Sequence, residues 1–279
     1  MRNGKPLISV LMGVRYRREN LALLERSVRS ILNQSCTDFE LLICEQGSTD
    51  AARQRLRQFV QEDDRIRLLD GTGAASLAAK LKRCIRAAKG EYFARQDDDD
   101  FSDATRFELQ LDYLRLHPEI AFVGSTARLE QNGTLVGLRQ LPMLPQVKDF
   151  LFVQPFLHPT LMFRANVFET GMRYCEDDRC DGCEDYDLLL RLYEHGLKGS
   201  NLQNPCFTYT IPPRGKSNRT WKLRCNEVRT RWVRFKSLRL LPGAVPYVVK
   251  PLAVGLVPEY FRQRLKEKRC ESSRKQRRE

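Results

Sequence analysis

The sequence predicts an α/β fold with a mostly parallel central sheet and helices on both faces. Short apolar runs typical of buried strands alternate with segments whose apolar residues recur at helical spacing. The alternation repeats several times, and repeated β-α-β units place their strands in parallel. Ligands of such sheets bind beyond the carboxyl ends of the strands, so functional residues are expected there.

The predicted elements follow one another without long gaps. The first strand is the buried run ISVLMGV at 8–14, and a helix with one apolar stripe follows over 20–32. The run FELLICE at 39–45 is the second strand. The alternation continues with a helix over 49–62, a strand over 66–69, a helix over 76–88 and a strand over 91–94.

Length and composition fit one large or two small globular domains. At 279 residues, with 42% hydrophobic and 30% charged residues, the chain can bury a proper core. No uncharged apolar run reaches the roughly 18 residues of a membrane span, and the apolar stretch before Arg15 is too short for a signal peptide. Nine cysteines, an odd number, fit a reducing compartment better than a disulfide framework. We therefore expect a cytoplasmic protein.

The formal net charge of +13 is unevenly distributed. Residues 212–279 contain 20 Lys and Arg against 5 Asp and Glu, a net +15, whereas the residues before them carry a net −2. A uniformly basic nucleic-acid-binding protein would not divide its charge in this way, and the sequence has no base-stacking or groove-reading motif. The basicity belongs to the tail, and no nucleic-acid partner is expected.

The basic tail at 212–279 has an amphipathic helical pattern. From Trp221 onward, tryptophans and leucines are interleaved with bases, and the apolar run from Val245 to Val257 is interrupted by prolines and by Lys250. The run is too short and too polar to cross a bilayer, but it suits a segment that lies in the interface of an anionic membrane. The alternative is a helical arm that packs on the first region or on a second subunit.

Four consecutive carboxylates, Asp97 to Asp100, begin three residues after Ala94, the end of the last of these predicted strands. They repel one another, most strongly where the strand end is partly buried, and a divalent cation would offset the repulsion. In an extended segment, residues two apart point to the same side, so Asp97 and Asp99 can converge on one ion while Asp98 faces away. The alternative is a solvated acidic turn that caps the helix after Ser102 or Asp103.

A second acidic group, Glu184, Asp185 and Asp187, lies where a helix is predicted over 186–194. Such a carboxylate can act as a general base, or it can simply interact with the positive end of the helix dipole. The sequence pattern leaves both possibilities open.

Five segments together resemble one enzyme family: LISVLMGV, SVRSILNQSCTDFELLICEQGSTD, AAKGEYFARQDDDDFSDATRFELQ, HPTLMF and CEDYDLLLRLYEHG. In this order and spacing they are similar to glycosyltransferase family 2, the inverting GT-A-fold enzymes that use nucleotide-diphosphate sugars. The resemblance covers about residues 6–211. It implies a GT-A catalytic domain over 1–211, with a nucleotide-sugar half at about 1–103 and an acceptor half at about 104–211.

The resemblance assigns a metal site to the acidic run. It implies that Asp97 and Asp99 hold Mn²⁺ or Mg²⁺, the electrophile that stabilises the departing diphosphate, with Asp100 as a frequent companion. Asp98 fills the variable place of the motif and is counted with Asp99 among the nucleotide-sugar contacts.

The resemblance also assigns catalytic and acceptor-side residues. It implies that Asp185 is the base that takes the proton from the acceptor hydroxyl, with Glu184 as a positioning residue. His158, in the segment His-Pro-Thr, is implied on the acceptor side, although a lone histidine is more often structural than a ligand.

The nucleotide pocket departs from the family pattern in two places. Where the family has Asp-Asp-Gly-Ser, this chain has Glu45-Gln46-Gly47-Ser48, and where the family has Pro-X-Tyr-Asn it has Gly13-Val14-Arg15-Tyr16. The first segment is implied to read the base, and the second to contact the nucleotide through its backbone. The implied nucleotide-sugar contacts outside the acidic run are Glu45, Ser48, Asp70, Lys80, Gly13 and Val14.

The late family loop often carries a histidine that joins the metal site. The corresponding stretch YTIPPRGKSNRT at 209–220 has none. Arg214, Lys216 or Arg219 are therefore the candidates to meet the diphosphate from this loop.

A Cys-X4-Cys-X2-Cys cluster, Cys175, Cys180 and Cys183, precedes the implied base. A zinc site would need a fourth ligand, for which Cys206 or His195 is conceivable. The alternative is a group of free thiols.

These observations predict a metal-dependent transferase that moves a sugar from a nucleotide-diphosphate donor, UDP-linked, to a hydroxyl of a glycan. The basic tail suggests that the acceptor is lipid-linked and that the enzyme is peripheral on the inner face of the cell membrane, as in surface-polysaccharide synthesis. A second subunit is compatible with the tail. The alternative is a catalytically inactive family member that acts as a membrane-associated scaffold.

Overall fold

The computed structural model describes residues 4–211 and 220–256, which fall into two compact units. Unit 1 is built from Met1–Asp178 and Glu184–Lys216, and unit 2 from Arg179–Cys183 and Ser217–Glu279, each over its described residues. The sequence-based division at 211/212 assigns the short segment Arg179–Cys183 to the first region, whereas in the structure it clusters with the second.

Unit 1 is the α/β part of the chain. Its strands are β1 Ile8–Val14, β2 Phe39–Glu45, β3 Ile66–Asp70, β4 Tyr92–Gln96, β5 Phe101–Ser102, β6 Ile120–Ser125, β7 Ala127–Gln131, β8 Thr134–Arg139, β9 Met162–Arg164, β10 Lys198–Leu202 and β11 Phe207–Thr210. Its helices are α1 Ala22–Leu32, α2 Asp50–Glu62, α3 Leu77–Ala87, α4 Arg106–Leu116, α5 Asn166–Glu169 and α6 Glu184–Glu194. The predicted strands and helices are all present, each within two residues of its predicted bounds.

The central sheet has seven strands in the order β10-β6-β9-β4-β1-β2-β3. β1 pairs in parallel with β2 and β4, and β2 pairs in parallel with β3. Only the three-residue β9 is antiparallel to its neighbours, β4 and β6. The sheet is therefore mostly parallel, as predicted, and the carboxyl ends of β1 to β4 meet at one edge.

A second, four-stranded sheet has the order β5-β11-β7-β8. β11 pairs antiparallel with β5, so that Thr208 lies opposite Phe101. Because β5 begins directly after Asp100, this pairing brings Thr210 alongside the acidic run. The second sheet thus fixes the position of the acidic run from the side opposite β4.

The main core lies between the central sheet and its helices. All seven residues of β1 are buried, which fits a strand covered on both faces. Local signals set the helix starts, since the side chains of Thr49 and Ser76 accept hydrogen bonds from Ala52 N (3.3 Å) and Ala79 N (3.1 Å). Both helices therefore begin immediately beyond the sheet edge where the site lies.

Unit 2 is formed by helices α7 Trp221–Ser237 and α8 Val245–Leu256. The guanidinium of Arg224 on α7 donates to the carbonyl of Pro251 on α8 (3.0 Å). Trp232 and Val249 remain about half exposed, at 49% and 48%. Over the described ranges, no helix combines the length and hydrophobicity that a bilayer crossing requires.

Gly71 lies where β3 ends against β2, and there is no room for a side chain at this position. A Cβ at this position would be 1.8 Å from the carbonyl oxygen of Glu45. We expect Gly71→Ala to reduce the free energy of unfolding by at least about 2 kcal/mol, since backbone must move to admit the methyl group. Chemical denaturation measures the change. Gly137→Ala is the control, because a Cβ there meets nothing within 4 Å, and an equal loss in both variants would contradict the packing argument.

Candidate active site

The acidic run is held by hydrogen bonds to its backbone and to one carboxylate. The hydroxyl of Ser27 donates to the carbonyl of Asp97 (2.6 Å), and the hydroxyl of Thr210 donates to the carbonyl of Asp99 (2.5 Å). The backbone N–H of Thr210 donates to Asp100 Oδ1 (2.7 Å). Residues from α1 and β11 therefore fix the run beyond the end of β4, so it is not a solvated turn.

The carboxylates of the run lack sufficient positive charge. Burial, together with repulsion from neighbouring aspartates, raises the pKa of Asp98 to about 7 and also raises the pKa of Asp99 and of Asp100. Asp100 is fully buried, and its Oδ2 atom has no hydrogen-bond partner among the described residues. Such groups are costly unless a cation or donor compensates them.

Two arginines supply part of the compensation. Arg95, fully buried in β4, pairs with Asp97, and Arg18 pairs with Asp99 at 2.8 Å. A third, Arg106, is also fully buried and binds the side chains of Gln96 and Ser102 (3.0 and 2.8 Å). These roles were not predicted from the sequence, although arginines on both sides of the acidic run were a visible signal.

The donor set of the run fits a hard divalent cation. Its ligands are carboxylate oxygens, which Mg²⁺ and Mn²⁺ prefer. In the described part of the chain, no three of these carboxylates have ligand oxygens within 4.8 Å of one another. Mg²⁺ is commonly bound through one or two carboxylates together with substrate phosphates, so such a sparse set is sufficient. The unpartnered Asp100 oxygen is consistent with a cation nearby.

A cleft of about 370 Å³ lies at the ends of β2 and β3, and Glu45 and Asp70 line it. Glu45 Oε1 accepts from the N–H of Ser48 (2.9 Å), and the Ser48 hydroxyl accepts from the N–H of Tyr16 (2.9 Å). Asp70 Oδ1 accepts from the N–H of Thr72 (2.9 Å). Glu45 and Asp70 thus lie at the cleft, while the hydroxyl of Ser48 ties the β1 and β2 loops together.

Gly13, Val14 and Lys80 lie beside this cleft, where β1 meets α3. A Cβ at Gly13 would be 2.8 Å from the Leu77 side chain and 3.2 Å from Lys80 Cβ, so glycine allows the close packing of α3. The carbonyl of Val14 accepts from the N–H of Gln46 (3.2 Å). The ammonium of Lys80 is close enough to Glu45 and Asp98 for their negative charges to act on its pKa.

Asp185 lies at the start of α6 with its carboxylate oriented by two donors. Gln154 Nε2 donates to Asp185 Oδ2 (3.0 Å), and the N–H of Tyr186 donates to Oδ1 (2.7 Å). Asp187 instead pairs with Arg191 one turn along the helix (2.8 Å) and is buried. The carboxylate of Asp185 is therefore held in a defined direction, and Asp187 pairs within the helix. The role of Gln154 has no sequence signal.

His158 and two tyrosines lie between the acidic groups. His158 Nε2 is 2.8 Å from the hydroxyl of Tyr174, and burial, with the nearby Arg95, lowers the pKa of His158 well below its usual value. Burial, together with the negative charges of Asp97 and Asp185, raises the pKa of the phenols of Tyr174 and Tyr209. Two acidic groups that are far apart in the sequence are therefore brought to one site. His158 is neutral there.

The cysteine cluster differs from both expectations. Cys175 and Cys180 are disulfide-bonded, whereas Cys183 is a buried thiol. The chain forms a short 3-10 turn over Asp178–Cys180. The prediction of free thiols is wrong for this pair, and thiols engaged in a disulfide cannot ligate zinc as thiolates.

The three candidates from the late loop to meet the diphosphate, Arg214, Lys216 and Arg219, lie outside the described residues.

Comparisons with known proteins identify the family. A family model described as Glycosyl transferase family 2 matches residues 11–173. The chain belongs to glycosyl transferase family 2. EpsE of Bacillus subtilis (strain 168), named as a glycosyltransferase, is 32% identical over 96% of this chain and 95% of its own length. The O-antigen biosynthesis glycosyltransferase WbnJ of Escherichia coli is 32% identical over 74% of this chain and 80% of its own length.

Solved structures support the GT-A fold. S. aureus TarS 1–349 in complex with UDP-GlcNAc superposes with a TM-score of 0.68 at 14% identity, covering 87% of this chain and 72% of TarS. The mannosyltransferase PcManGT from Pyrobaculum calidifontis, in complex with GDP-Man and Mn²⁺, gives 0.62 at 15% identity, covering 96% and 81%. This family 2 chain is therefore a glycosyltransferase with the GT-A fold.

The raised pKa of Asp98 gives a prediction about stability without metal. A carboxyl with a pKa of about 7 in the fold and about 4 in the unfolded chain makes the fold lose stability as pH rises through that interval. Asp98→Asn removes this loss and keeps an oxygen for the N–H of Arg15. In EDTA at pH 8 we expect Asp98→Asn to be more stable than the wild type by about 1–2 kcal/mol, with the difference vanishing near pH 4.

Chemical denaturation at several pH values measures this difference. Asp112→Asn is the control, because Asp112 is an exposed helix residue whose only ion pair, among described residues, is with Arg115 at 3.6 Å. If Asp98→Asn is no more stable than the wild type at pH 8, burial does not raise the pKa of Asp98 as described.

Proposed function

We propose that this family 2 glycosyltransferase is an inverting, metal-dependent enzyme that moves a sugar from a nucleotide-diphosphate donor, UDP-linked, to a hydroxyl of a glycan. The observation that carries the proposal is the cation-deficient acidic run, which lies beside the cleft at Glu45 and Asp70 and in the same site as Asp185. The metal ion, the nucleotide and the general base Asp185 then all lie at the carboxyl edge of the parallel sheet.

The donor occupies the cleft at the ends of β2 and β3. Glu45 and Asp70 face the nucleoside, and Lys80 faces the phosphates. Nucleotide sugars in the TarS and PcManGT complexes support this class of donor, and PcManGT was captured with Mn²⁺. The choice of UDP rests on the family resemblance and on TarS.

Asp97 and Asp99 hold the divalent ion, Mn²⁺ or Mg²⁺. When bound, the ion stabilises negative charge on the leaving diphosphate. Arg95 holds Asp97 in place through their ion pair, in which the Arg95 side chain is fully buried. Arg18 pairs with Asp99 and can turn towards the donor, because its side chain is 42% exposed.

Asp185 is the general base. It takes the proton from the acceptor hydroxyl while that oxygen attacks the anomeric carbon from the face opposite the diphosphate, which inverts the configuration. Gln154 holds one carboxylate oxygen and thereby sets its direction. Glu184 helps to position the base. His158, neutral and bonded to Tyr174, shapes the acceptor side without supplying charge.

The acceptor is a lipid-linked glycan in the synthesis of a cell-surface polysaccharide. The name of WbnJ, an O-antigen biosynthesis glycosyltransferase, supports this class of product. Attachment of unit 2 to the inner face of the membrane would bring the enzyme to such an acceptor. Exposed Trp221, Trp232 and Val249 in a segment with many bases fit an anionic interface.

The rival proposal is an inactive, membrane-associated scaffold. It is favoured by Glu45 and Gln46 in place of two aspartates and by the absence of a late histidine from the sequence 209–220. Release of free nucleotide from a panel of nucleotide sugars decides between the two, because a scaffold turns over none of them.

Substitutions in the two acidic groups should separate donor binding from transfer. We expect Asp99→Asn to lose the Mn²⁺-dependent part of UDP binding, because the ion loses a ligand. Asp185→Asn should bind UDP like the wild type and slow transfer by at least about 10³-fold, because no base remains. Calorimetric titration and single-turnover transfer measure the two effects. Asp187→Asn is not a suitable control because it is buried, so Asp112→Asn is used. Normal transfer by Asp185→Asn would refute the assignment of the base.

Membrane attachment can be tested in the full-length chain. We expect the double variant Trp232→Gln, Val249→Gln to co-sediment less with anionic liposomes than the wild type, because burial of apolar side chains adds to the charge attraction. High salt should weaken the binding of both proteins. Leu135→Gln, a 59% exposed residue in β8, is the matched control. A wild-type protein that stays in the supernatant at low salt would exclude the proposed attachment.

A further inference from the structure

Two cationic side chains beside the acidic run have no counter-ion. Among residues 4–211 and 220–256, neither the ammonium of Lys80 nor the guanidinium of Arg15 makes an ion pair or a hydrogen bond. Lys80 is only 2% exposed, and Arg15 contributes only its backbone N–H, to Asp98 Oδ2 (3.2 Å). A lysine whose side chain is almost entirely covered and whose ammonium has no protein partner is rare, because losing hydration is costly.

The two cations also repel each other. Burial lowers the pKa of Lys80, and the charge of Arg15 lowers it further, while Glu45 and Asp98 act in the opposite direction. The protein therefore keeps the exposed Arg15 close to Lys80, whose side chain is almost entirely covered. Two like charges that lie close together are suited to an anion that comes from outside.

Both side chains lie between the nucleotide cleft and the acidic run. The Arg15 side chain runs over the turn at Gly47, where a Cβ would be 3.5 Å from Arg15 Nε, and Gly47 lines the cleft. Its backbone N–H is bonded to the run at Asp98. The Lys80 stem lies against Gly13, at the end of β1 between the two features. A diphosphate that joins a nucleoside in the cleft to a metal on the run must pass these two charges.

We propose that Arg15 and Lys80 form a two-cation subsite for the donor diphosphate, a role that rests on the proposed function. They bind the non-bridging phosphate oxygens. When the bond between the anomeric carbon and the phosphate oxygen breaks, its electron pair goes to the diphosphate, and these cations stabilise the added charge. The new bond forms from the acceptor oxygen, whose proton goes to Asp185. Arg15 stands where the family pattern has tyrosine, so this contribution distinguishes the chain.

The test uses ligands that differ in their phosphates. Arg15→Gln, Lys80→Met and the wild type are titrated calorimetrically with inorganic pyrophosphate, UDP and UMP, in Mn²⁺ and in EDTA. Pyrophosphate reports on the subsite whatever base the enzyme prefers. Lys82→Met is the matched control for Lys80→Met, because Lys82 lies on the same helix and is already paired with Glu176.

We expect each variant to bind pyrophosphate and UDP at least about tenfold more weakly, the size of one charge-assisted contact. UMP, with one phosphate, should be affected less, and Lys82→Met should bind like the wild type. Lys80→Met should also melt at a higher temperature, because it removes an unpaired buried charge. A structural lysine would give the opposite shift.

Wild-type affinity for pyrophosphate in both variants, or no binding of pyrophosphate to the wild type, would overturn the subsite. A wrong choice of UDP as the donor nucleotide can be distinguished from a failure of the subsite. If the variants weaken pyrophosphate binding but the wild type turns over no UDP-sugar, the subsite stands and the choice of UDP is wrong.

Discussion

The concentration of negative charge at the end of β4 is the constraint on which the rest of the site depends. Four carboxylates in a partly desolvated position destabilise one another, as the raised pKa of Asp98 and of its two successors shows. The fold maintains them by hydrogen bonds from the Ser27 hydroxyl to the Asp97 carbonyl and from the Thr210 N–H to the Asp100 carboxylate, rather than by full charge compensation. A rigid site whose carboxylates are only partly compensated is prepared to bind a further cation without reorganising.

Rigidity reaches the run from both sheets through buried polar groups. Arg106 binds the carbonyl of Arg95 (2.9 Å) and the side chain of Gln110 (3.0 Å). Gln110 in turn donates to the carbonyls of Thr160 (2.7 Å) and Val123 (3.1 Å). The strand that delivers the aspartates is thus tied to the turn that carries His158. Because these hydrogen bonds of Arg106 and Gln110 end on atoms of fixed position, small displacements are opposed.

The fold was predictable from local patterns, whereas the partners within the site were not. Apolar periodicity and turn residues are encoded within a few positions, so the strands and helices up to residue 94 could be placed. The three-residue β9 has too few positions for a pattern, yet it separates β4 from β6. The contact of Gln154 with Asp185 and the position of Tyr209 beside the acidic groups join segments far apart in the chain, which a single sequence does not show. The disulfide of Cys175 is likewise not determined by the spacing of the cysteines.

Lys80 and Asp98 carry opposite charges but remain separate in this site, and the separation has a physical explanation. Lys80 is near enough to Asp98 to feel its charge, yet the two make no ion pair within the described structure. If they paired, the cleft and the acidic run would each lose the charge with which they meet a ligand. A diphosphate with its divalent ion carries both signs, so it can satisfy the cations and the carboxylates at once. The stability that this site gives up in the free protein is recovered when such a ligand binds.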